Sequence, residues 1–485
     1  MRIVLLLALL CLSACGKTQQ VGAVYSAAAP LGTPPPEGKT IFLTIDGTGN
    51  SAISRTNAAH LFEMVDATSG ARKGKLATYY AEGVGSRNQP LGLALGNGMS
   101  DDIRNAYTFL LGTYRKGDDI YLSGFSRGAY GVRALNGLIG FAGIPEAYAL
   151  KPKDRARLAR DLFRAYKIRK PAYDDARNAL RLVRIDRVLG QYNLKGYQHS
   201  EPFSTPIKAM AIWDTVEALG MPDKRLTPVE RIPEYFIEAC NVKSVYHALA
   251  LDDNRAYSFT PLTAGGSLLG KCPGRVERQR IEEVWFAGAH ADVGGSYAPA
   301  DRIDSHLPGV SLNWMLRHLA NEGLLAKGTE VFEDKYGPIH DAKAYNAAYK
   351  VLYEHYRYPL KYQEEIDTLP KSKPKVHITA LQRLLMLEKI DDTLKGQGCP
   401  SGTAAPRLFC SKEFGRFGFV AEMIAAGCMY PSVFGYALTP GQQCIRVICD
   451  PLPTGEERES TGYCDLEATE PDVRDNRCKR PEIAG

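Results

Sequence analysis

The chain has 485 residues, of which 45% are hydrophobic and 24% are charged, and its formal net charge at pH 7 is +6. A chain of this size can bury a substantial core, and its length indicates one large domain with a second region. No stretch after the amino-terminal leader approaches the roughly 20 consecutive apolar residues of a membrane-spanning helix. The modest charge, with acidic residues interleaved among the basic ones, argues against a nucleic-acid-binding protein.

The amino terminus resembles a bacterial lipoprotein signal. Arg2 precedes an apolar run from Ile3 to Leu12, and small residues precede Cys15. The run is too short to span a membrane as a mature helix, and the small residues suit peptidase cleavage. We therefore predict a signal peptide over residues 1–14, a lipid on Cys15, and an outer-membrane anchor in the bacterial cell envelope, facing the periplasm. A secretory signal without lipid is the alternative.

Residues 15–39 predict a semi-extended tether, because they contain four prolines and little that could form a core. Beyond the tether, four short apolar runs each predict a strand that ends at a small-residue loop carrying a polar group. Open parallel sheets place their chemistry at the edge where such strands end. The four runs are Thr40 to Ile45, Asp118 to Phe125, Ile207 to Trp213 and Ile281 to Ala287.

The second run continues into Gly-Phe-Ser-Arg-Gly, residues 124–128, and then into a helical pattern. A strand, Gly-x-Ser-x-Gly and a helix in this order predict a nucleophile elbow with Ser126 at its tip. Gly124 and Gly128 remove the side chains that would collide where the backbones close up. Ser126 is therefore the candidate nucleophile.

A serine hydroxyl becomes a good nucleophile when a histidine accepts its proton and a carboxylate orients that histidine. Asp214 follows the third run, and His290 follows the fourth within a glycine-rich loop. The chain order serine, acid, histidine is the order of an α/β hydrolase. Two alternatives stay open: Asp214 as the cap of a following helix, and Asp292 as the acid, although a residue so close to His290 more readily fixes its loop.

The segment between the nucleophile and the acid predicts a helical cap at about residues 145–205. Its part from Lys151 to Arg187 has 13 basic and 5 acidic residues, with apolar positions at Leu158, Leu162 and Tyr166. Such a helix either lies on an anionic lipid surface or packs its apolar stripe on the core as a solvated cap. A second insertion, Ala342 to Leu387, is rich in tyrosine and suggests no role.

Eleven cysteines favour an oxidising compartment. Nine remain after Cys11 and Cys15, and seven of these follow residue 398, which predicts a disulfide-rich carboxyl-terminal region with one thiol left over. A zinc site is the competing interpretation, but no Cys-x-x-Cys pair occurs and no histidine follows His377. We therefore predict neither a metal site nor a cofactor.

Several motifs together resemble the α/β-hydrolase domain of the type VI secretion phospholipase effectors of the Tle class and their relatives. The resemblance covers roughly residues 40 to 320, and it implies a triad that falls on Ser126, Asp214 and His290, and an esterase activity on phospholipids. The motifs are Asp-Gly-Thr-x-Asn at 46–50, Arg-Thr-Asn at 55–57, Gly-Phe-Ser-Arg-Gly-Ala at 124–129, Trp-Asp-Thr-Val at 213–216, His-Ala-Leu-Ala-Leu-Asp at 247–252 and Gly-x-His-x-Asp-Val-Gly-Gly at 288–295.

The sequence thus predicts a mostly parallel α/β-hydrolase sheet over residues 40–320, flanked by helices, and a carboxyl-terminal region over 321–485. The predicted activity is hydrolysis of acyl esters, with a lipid or acyl-ester substrate. The alternatives are an acyltransferase with the same triad and a non-catalytic envelope lipoprotein that binds lipid or a protein. Backbone N–H groups for the oxyanion are expected from Arg127 and from Gly47 or Thr48. Asp46 either shapes that loop or contacts a ligand.

Overall fold

The protein is described by a computed structural model, and Cys15 and Thr48 lie outside the residues that it describes. These residues are 23–25, 37–47, 50, 54–83, 97–168, 175–192, 194, 203–216, 235, 237–256, 259, 261–264, 272, 277–297, 306–342, 356–360, 373–385, 419–431, 436–440, 442, 444–448 and 450.

A nine-stranded sheet forms the centre of the molecule, in the order β1-β3-β2-β4-β5-β6-β7-β8-β11. All neighbouring strands are parallel except β1, which pairs antiparallel with β3. The strands are β1 (Ala23–Tyr25), β2 (Thr40–Ile45), β3 (Leu76–Ala81), β4 (Asp119–Phe125), β5 (Ile207–Trp213), β6 (Val242–Ala250), β7 (Arg280–Phe286), β8 (Lys375–His377) and β11 (Arg446–Ile448); β9 (Met429–Pro431) and β10 (Tyr436–Leu438) form a separate hairpin.

Helices cover both faces of this sheet. The described helices are α1 (Asn57–Asp66), α2 (Asn97–Thr113), α3 (Arg127–Ala142), α4 (Pro152–Tyr166), α5 (Asp175–Gln191), α6 (His290–Gly294), α7 (Pro308–Asn321), α8 (Ile378–Leu385) and α9 (Phe419–Ala425). Side chains alternate between the faces of a strand, and accordingly Ile41, Leu43 and Ile45 of β2 join the core under α2 to α5, whereas Phe42 joins the core under α1 and α7. A sheet buried on both faces explains why its strands are continuous apolar runs.

The predicted fold class is confirmed, since the sheet is mostly parallel and helices lie on both sides. The predicted strands after Lys39, before Ser126 and before Asp214 are confirmed as β2, β4 and β5, and the predicted fourth run is β7, displaced by one residue. One difference lies in the predicted tether, where Ala23–Tyr25 pairs with β3 as an edge strand. Pairing of this kind uses backbone groups and needs no apolar core of its own.

The cap consists of α4 and α5, and α4 uses its apolar stripe for packing. Leu158, Leu162 and Tyr166 are fully buried in the same core as α2 and α3. The structure therefore shows the packed alternative for this stripe. In the part of the chain that the structure describes, no helix is long and apolar enough to cross a membrane.

Residues beyond 320 complete the central sheet. β8 pairs with β7, and β11 pairs with β8. Two disulfides are present among the described residues: Cys428–Cys444 in the carboxyl-terminal region and Cys240–Cys272, which joins the start of β6 to the loop before β7. The region predicted as a separate carboxyl-terminal part is thus continuous with the hydrolase sheet.

Candidate active site

Ser126 lies at the sharp turn between β4 and α3. Its backbone has φ 58° and ψ −125°, a left-handed conformation that costs a non-glycine residue about 1–3 kcal/mol. A Cβ on Gly124 would lie 2.8 Å from the carbonyl oxygen of Gly128, and a Cβ on Gly128 would overlap the carbonyl oxygens of Ile45 and Asp46. Both glycines are therefore required for α3 to begin so close to the ends of β2 and β4.

His290 connects the serine to an aspartate. Its Nε2 lies 2.7 Å from Ser126 Oγ, and its Nδ1 lies 2.5 Å from Asp214 Oδ2. An ionised carboxylate only accepts hydrogen bonds, so Nδ1 carries the imidazole proton and Nε2 accepts from the serine hydroxyl. The three side chains form one continuous hydrogen-bonded chain, the arrangement that activates serine nucleophiles.

The sheet places these residues at one edge. Ser126 follows β4, Asp214 follows β5, and His290 begins α6 just after β7. The Ser126 N–H donates to Trp213 O at 2.9 Å, and the Asp214 N–H donates to Ala248 O at 2.7 Å. Backbone pairing therefore continues past the last residues of the strands and fixes the spacing of the site.

Asp214 is completely buried and fully hydrogen-bonded. Its Oδ1 accepts from the Ala250 N–H at 3.0 Å and from Arg357 Nη1 at 2.7 Å, and its Oδ2 accepts from Arg357 Nη2 at 3.0 Å as well as from His290. Burial by itself would raise the pKa of Asp214, but the Arg357 guanidinium and the His290 hydrogen bond outweigh it and lower that pKa to about 2. The carboxylate is ionised across the physiological range.

Aromatic rings and a buried ion pair hold the imidazole in place. The rings of Phe125 and Phe259 lie 4.7 Å and 5.1 Å from the His290 ring centroid. The backbone N–H of His290 donates to Asp253 Oδ2 at 3.2 Å, and the Arg255 guanidinium pairs with the same carboxylate at 2.6 Å. Burial is the main cause that lowers the pKa of His290, against the opposing effect of Asp214, so the imidazole is neutral and able to accept a proton near pH 7.

Asp46 shapes the loop after β2. Its Oδ1 accepts from the Gly47 N–H, and its Oδ2 accepts from the hydroxyls of Thr56 and Tyr80, all at 2.6 Å. Burial raises the pKa of Asp46 to about 6, although these hydrogen bonds oppose the shift. Of the two roles considered for Asp46, the structure shows the first.

The expected oxyanion donors have different positions in the structure. Arg127 is the first residue of α3 and directly follows the nucleophile. The Gly47 N–H is already engaged by the Asp46 carboxylate, so the expectation for Gly47 is not met in this conformation. Thr48 lies outside the described residues. The Arg127 N–H stays a predicted oxyanion donor.

Asp292 is bound to a different histidine. Its Oδ1 lies 2.6 Å from His340 Nδ1, and its Oδ2 accepts the N–H groups of Ala289 and His340 at 3.0 Å and 2.9 Å. Asp292 thus fixes the loop around His290, as the sequence favours, and Asp214 is the carboxylate that contacts the imidazole.

His247, which belongs to one of the family-like motifs, also has a structural position. It lies on β6, where its Nε2 accepts the Thr215 N–H at 3.1 Å and its Nδ1 lies 2.9 Å from Glu283 Oε1. The histidine therefore braces the turn that follows Asp214. No group of three or more His, Cys, Asp or Glu side chains suited to a metal ion occurs among the described residues.

Sequence reasoning missed Arg357, Asp253 and Arg255. Asp253 and Arg255 follow the His-Ala-Leu-Ala-Leu-Asp motif directly, so the end of that motif was a usable signal. Arg357 lies in the tyrosine-rich insertion, 143 residues after Asp214, and no local pattern marks it.

An elbow serine, a histidine and an aspartate at the carboxyl edge of a mostly parallel, helix-flanked sheet define the class of α/β-hydrolase-like proteins. Within this class, residues 39–318 match the family described as the catalytic domain of Tle1-like phospholipase effectors of the type VI secretion system. The match covers more than half of the chain, and the protein belongs to this family.

Individual relatives are distant. The uncharacterized protein YEL023C of Saccharomyces cerevisiae is 25% identical over 248 residues, which are 46% of this chain and 33% of that protein. Similar solved structures include an uncharacterized Pseudomonas aeruginosa protein (17% identity, TM-score 0.34, 59% of this chain and 46% of that one) and the Tle1 effector bound to the VgrG spike (19%, 0.28, 56% and 53%). A further one is the Est2 esterase of Thermogutta terrifontis (15%, 0.30, 65% and 94%). The chain spans a third of the length of YEL023C and about half of the first two structures.

Proposed function

We propose that this protein is a serine hydrolase that cleaves acyl ester bonds of phospholipids. The observation that carries the proposal is the unbroken chain from Ser126 Oγ through His290 to Asp214, with separations of 2.7 Å and 2.5 Å. Membership of the phospholipase effector family supports a lipid ester as the substrate class.

In the proposed mechanism His290 Nε2 accepts the proton of Ser126 as Oγ attacks the ester carbonyl carbon. Asp214, ionised and hydrogen-bonded to Nδ1, stabilises the imidazolium that forms. Collapse of the tetrahedral intermediate breaks the ester C–O bond, and the imidazolium gives its proton to the leaving alcohol. Water then attacks the acyl-enzyme with His290 again as the base, which releases the fatty acid and restores Ser126.

The negative charge on the tetrahedral intermediate needs backbone N–H donors. The Arg127 N–H follows the nucleophile at the amino terminus of a 16-residue helix, so the helix dipole also favours an anion there. A donor of this type contributes about 3–4 kcal/mol to transition-state stabilisation in serine hydrolases.

The test compares the full chain with Ser126→Ala on defined phospholipids, on p-nitrophenyl esters and on a fluorophosphonate probe. Ser126→Ala should stay folded, lose nearly all hydrolysis and lose all labelling. The matched control is Ser123→Ala, because Ser123 lies on β4, the strand that leads to Ser126, and its buried hydroxyl has no hydrogen-bond partner among the described residues. Full activity in Ser126→Ala would refute the proposal, and activity on simple esters alone would refute the phospholipid substrate.

A further inference from the structure

Arg357 binds the carboxylate of Asp214 with both terminal nitrogens. Nη1 lies 2.7 Å from Oδ1 and Nη2 lies 3.0 Å from Oδ2, and both side chains are completely buried. Nη1 also donates to Ala250 O at 2.8 Å, and Nη2 donates to Phe259 O at 2.7 Å. The guanidinium is thus fixed by backbone groups at the end of β6 and at Phe259, and it in turn fixes the plane of the carboxylate.

Asp214 needs a cationic side chain beside it because it is completely buried. A buried carboxylate without a cationic partner is a stronger base, so without Arg357 the Asp214–His290 pair would take up a proton at higher pH and His290 would be a free base over a narrower range. Among the described residues, backbone N–H groups contribute one hydrogen bond to the carboxylate, from Ala250. The ion pair with Arg357 is the largest of the interactions that compensate for burial, ahead of the hydrogen bond with His290.

We propose that Arg357 is a positioning residue of the proposed hydrolase: it keeps Asp214 ionised and aimed at His290, and it sets the pH range in which His290 is a free base. This inference rests on the proposed function for its catalytic consequence, but its electrostatic content concerns only Arg357, Asp214 and His290. Arg357 also lies beyond residues 39–318, the part that matches the catalytic-domain family, so the residue is supplied by the following region of the chain.

The sign of the effect follows from the charges around the imidazole. A cation near Asp214 opposes the binding of a further proton to the Asp214–His290 pair, so its removal makes protonation easier and raises the pKa of His290. The other charged groups that face this pair or Arg357 remain in place: Arg255, Asp253 and Asp252. Because Asp253 keeps its own partner, Arg255, it does not replace the lost charge.

A purely structural role for Arg357 makes a different prediction. If the guanidinium only ties the tyrosine-rich insertion to the core, its loss should reduce the free energy of unfolding and leave the titration of His290 unchanged. The pKa of His290 is therefore the deciding quantity.

The experiment measures that pKa by NMR in ¹⁵N-histidine-labelled full-length protein, with the resonance assigned through His290→Gln. In Arg357→Gln the pKa of His290 should rise by about 1–3 units, because a positive charge that opposes protonation of the Asp214–His290 pair is lost. The apparent pKa of the acid limb in the pH profile of kcat/KM for p-nitrophenyl butyrate should rise by the same amount. At a pH below that limb, kcat/KM should fall about tenfold for each unit by which the pKa rises.

Arg357→Lys keeps the charge but loses the two parallel hydrogen bonds. It should leave the acid limb in place and lower kcat at unchanged KM by about tenfold to a hundredfold, the cost of a small misplacement. This variant also decides the matter if Arg357→Gln does not fold, because a wild-type kcat in Arg357→Lys would overturn the positioning role.

The matched control is Arg133→Gln. Arg133 is another buried arginine, and it donates to the carbonyl oxygens of Ile237, Leu262 and Thr263. Its loss should lower the free energy of unfolding and leave the acid limb of the kcat/KM profile in place. An unchanged pKa of His290 in folded Arg357→Gln would refute the inference. If wild-type protein hydrolyses no ester and the pKa still rises, the proposed function fails and the electrostatic role of Arg357 stands.

Discussion

Asp214 and Asp292 both lie near His290, but their hydrogen bonds give them different roles. Asp214 contacts the imidazole, whereas Asp292 binds His340 and the backbone of the loop. The distinction is a matter of contacts, because both carboxylates are buried and both follow strands of the same sheet.

We expect Asp214→Asn to reduce kcat by about 10⁴-fold, because an asparagine favours the wrong imidazole tautomer. It also leaves Arg357 buried without a carboxylate, a change that typically costs about 3–5 kcal/mol. The measurement is ester hydrolysis per folded molecule, with the folded fraction taken from circular dichroism.

Asp292→Asn is the comparison for this prediction, and it should retain more activity than Asp214→Asn because His290 keeps its own partner. If folded Asp292→Asn is the less active of the two, the acid role belongs to Asp292.

At the level of single residues, the sequence predicts the side chains that follow strands and leaves out those that reach the site from elsewhere. Ser126, Asp214 and His290 could be predicted because each follows an apolar run and the three occur in the expected chain order. Arg357 was not, since a cation that meets a carboxylate 143 residues away is selected by tertiary packing and leaves no periodic pattern. The engagement of the Gly47 N–H by Asp46 is likewise a detail of side-chain geometry.

Among the structural elements, the turn between β4 and α3 has very little room for an added side-chain atom. Gly128→Ala should cost several kcal/mol or prevent folding, because the added methyl would overlap the carbonyl oxygens of Ile45 and Asp46. Thermal unfolding and probe labelling of Ser126 would measure the loss.

Gly131→Ala, one turn further along α3, is the matched control. Its added methyl would lie 3.5 Å from the nearest atom, in the side chain of Ile45. A helical Gly→Ala change without overlap should stabilise by about 0.5–1 kcal/mol. Equal losses in Gly128→Ala and Gly131→Ala would show that the overlap does not control this turn.

The strands of the sheet differ in how readily they can be predicted from the sequence. β2, β4, β5 and β7 were predicted because each precedes a loop with candidate chemistry. β1, β8 and β11 have only three residues each, too few for a periodic signal, and they exist because an established sheet edge offers backbone partners. Their formation depends on the rest of the molecule.

On the scale of the whole molecule, the chain after residue 320 is joined to the rest by the sheet and by Arg357. The sequence predicted a boundary there because the family resemblance ends near residue 320, but the pairing of strands continues past that residue. The lipid anchor at Cys15 stays a prediction, because that residue lies outside the described part of the chain.

The two disulfides give a test of this long-range organisation. Removing Cys240–Cys272 or Cys428–Cys444 by paired Cys→Ala substitutions should each lower the free energy of unfolding by about 2–4 kcal/mol. The first bridge joins residues 32 apart and the second joins residues 16 apart, so loop entropy makes the first loss larger by about 0.6 kcal/mol. Denaturant unfolding measures both losses.

Peptide mapping of the unreduced protein by mass spectrometry checks that both bridges form. Free thiols at all four positions would contradict the pairing and the stability prediction with it.

β6 supplies none of the three proposed catalytic side chains, yet it determines whether they meet. The Asp214 N–H donates to Ala248 O, and the Asp214 carboxylate accepts from the Ala250 N–H. Ala250 is in turn paired with Phe286 on β7, the strand that leads to His290. A parallel strand advances about 3.3 Å per residue, so an insertion or deletion of one residue in β6 would shift one side of the site by more than a hydrogen bond can stretch. The length of this non-catalytic strand is therefore as tightly constrained as the identity of the three side chains that it brings together.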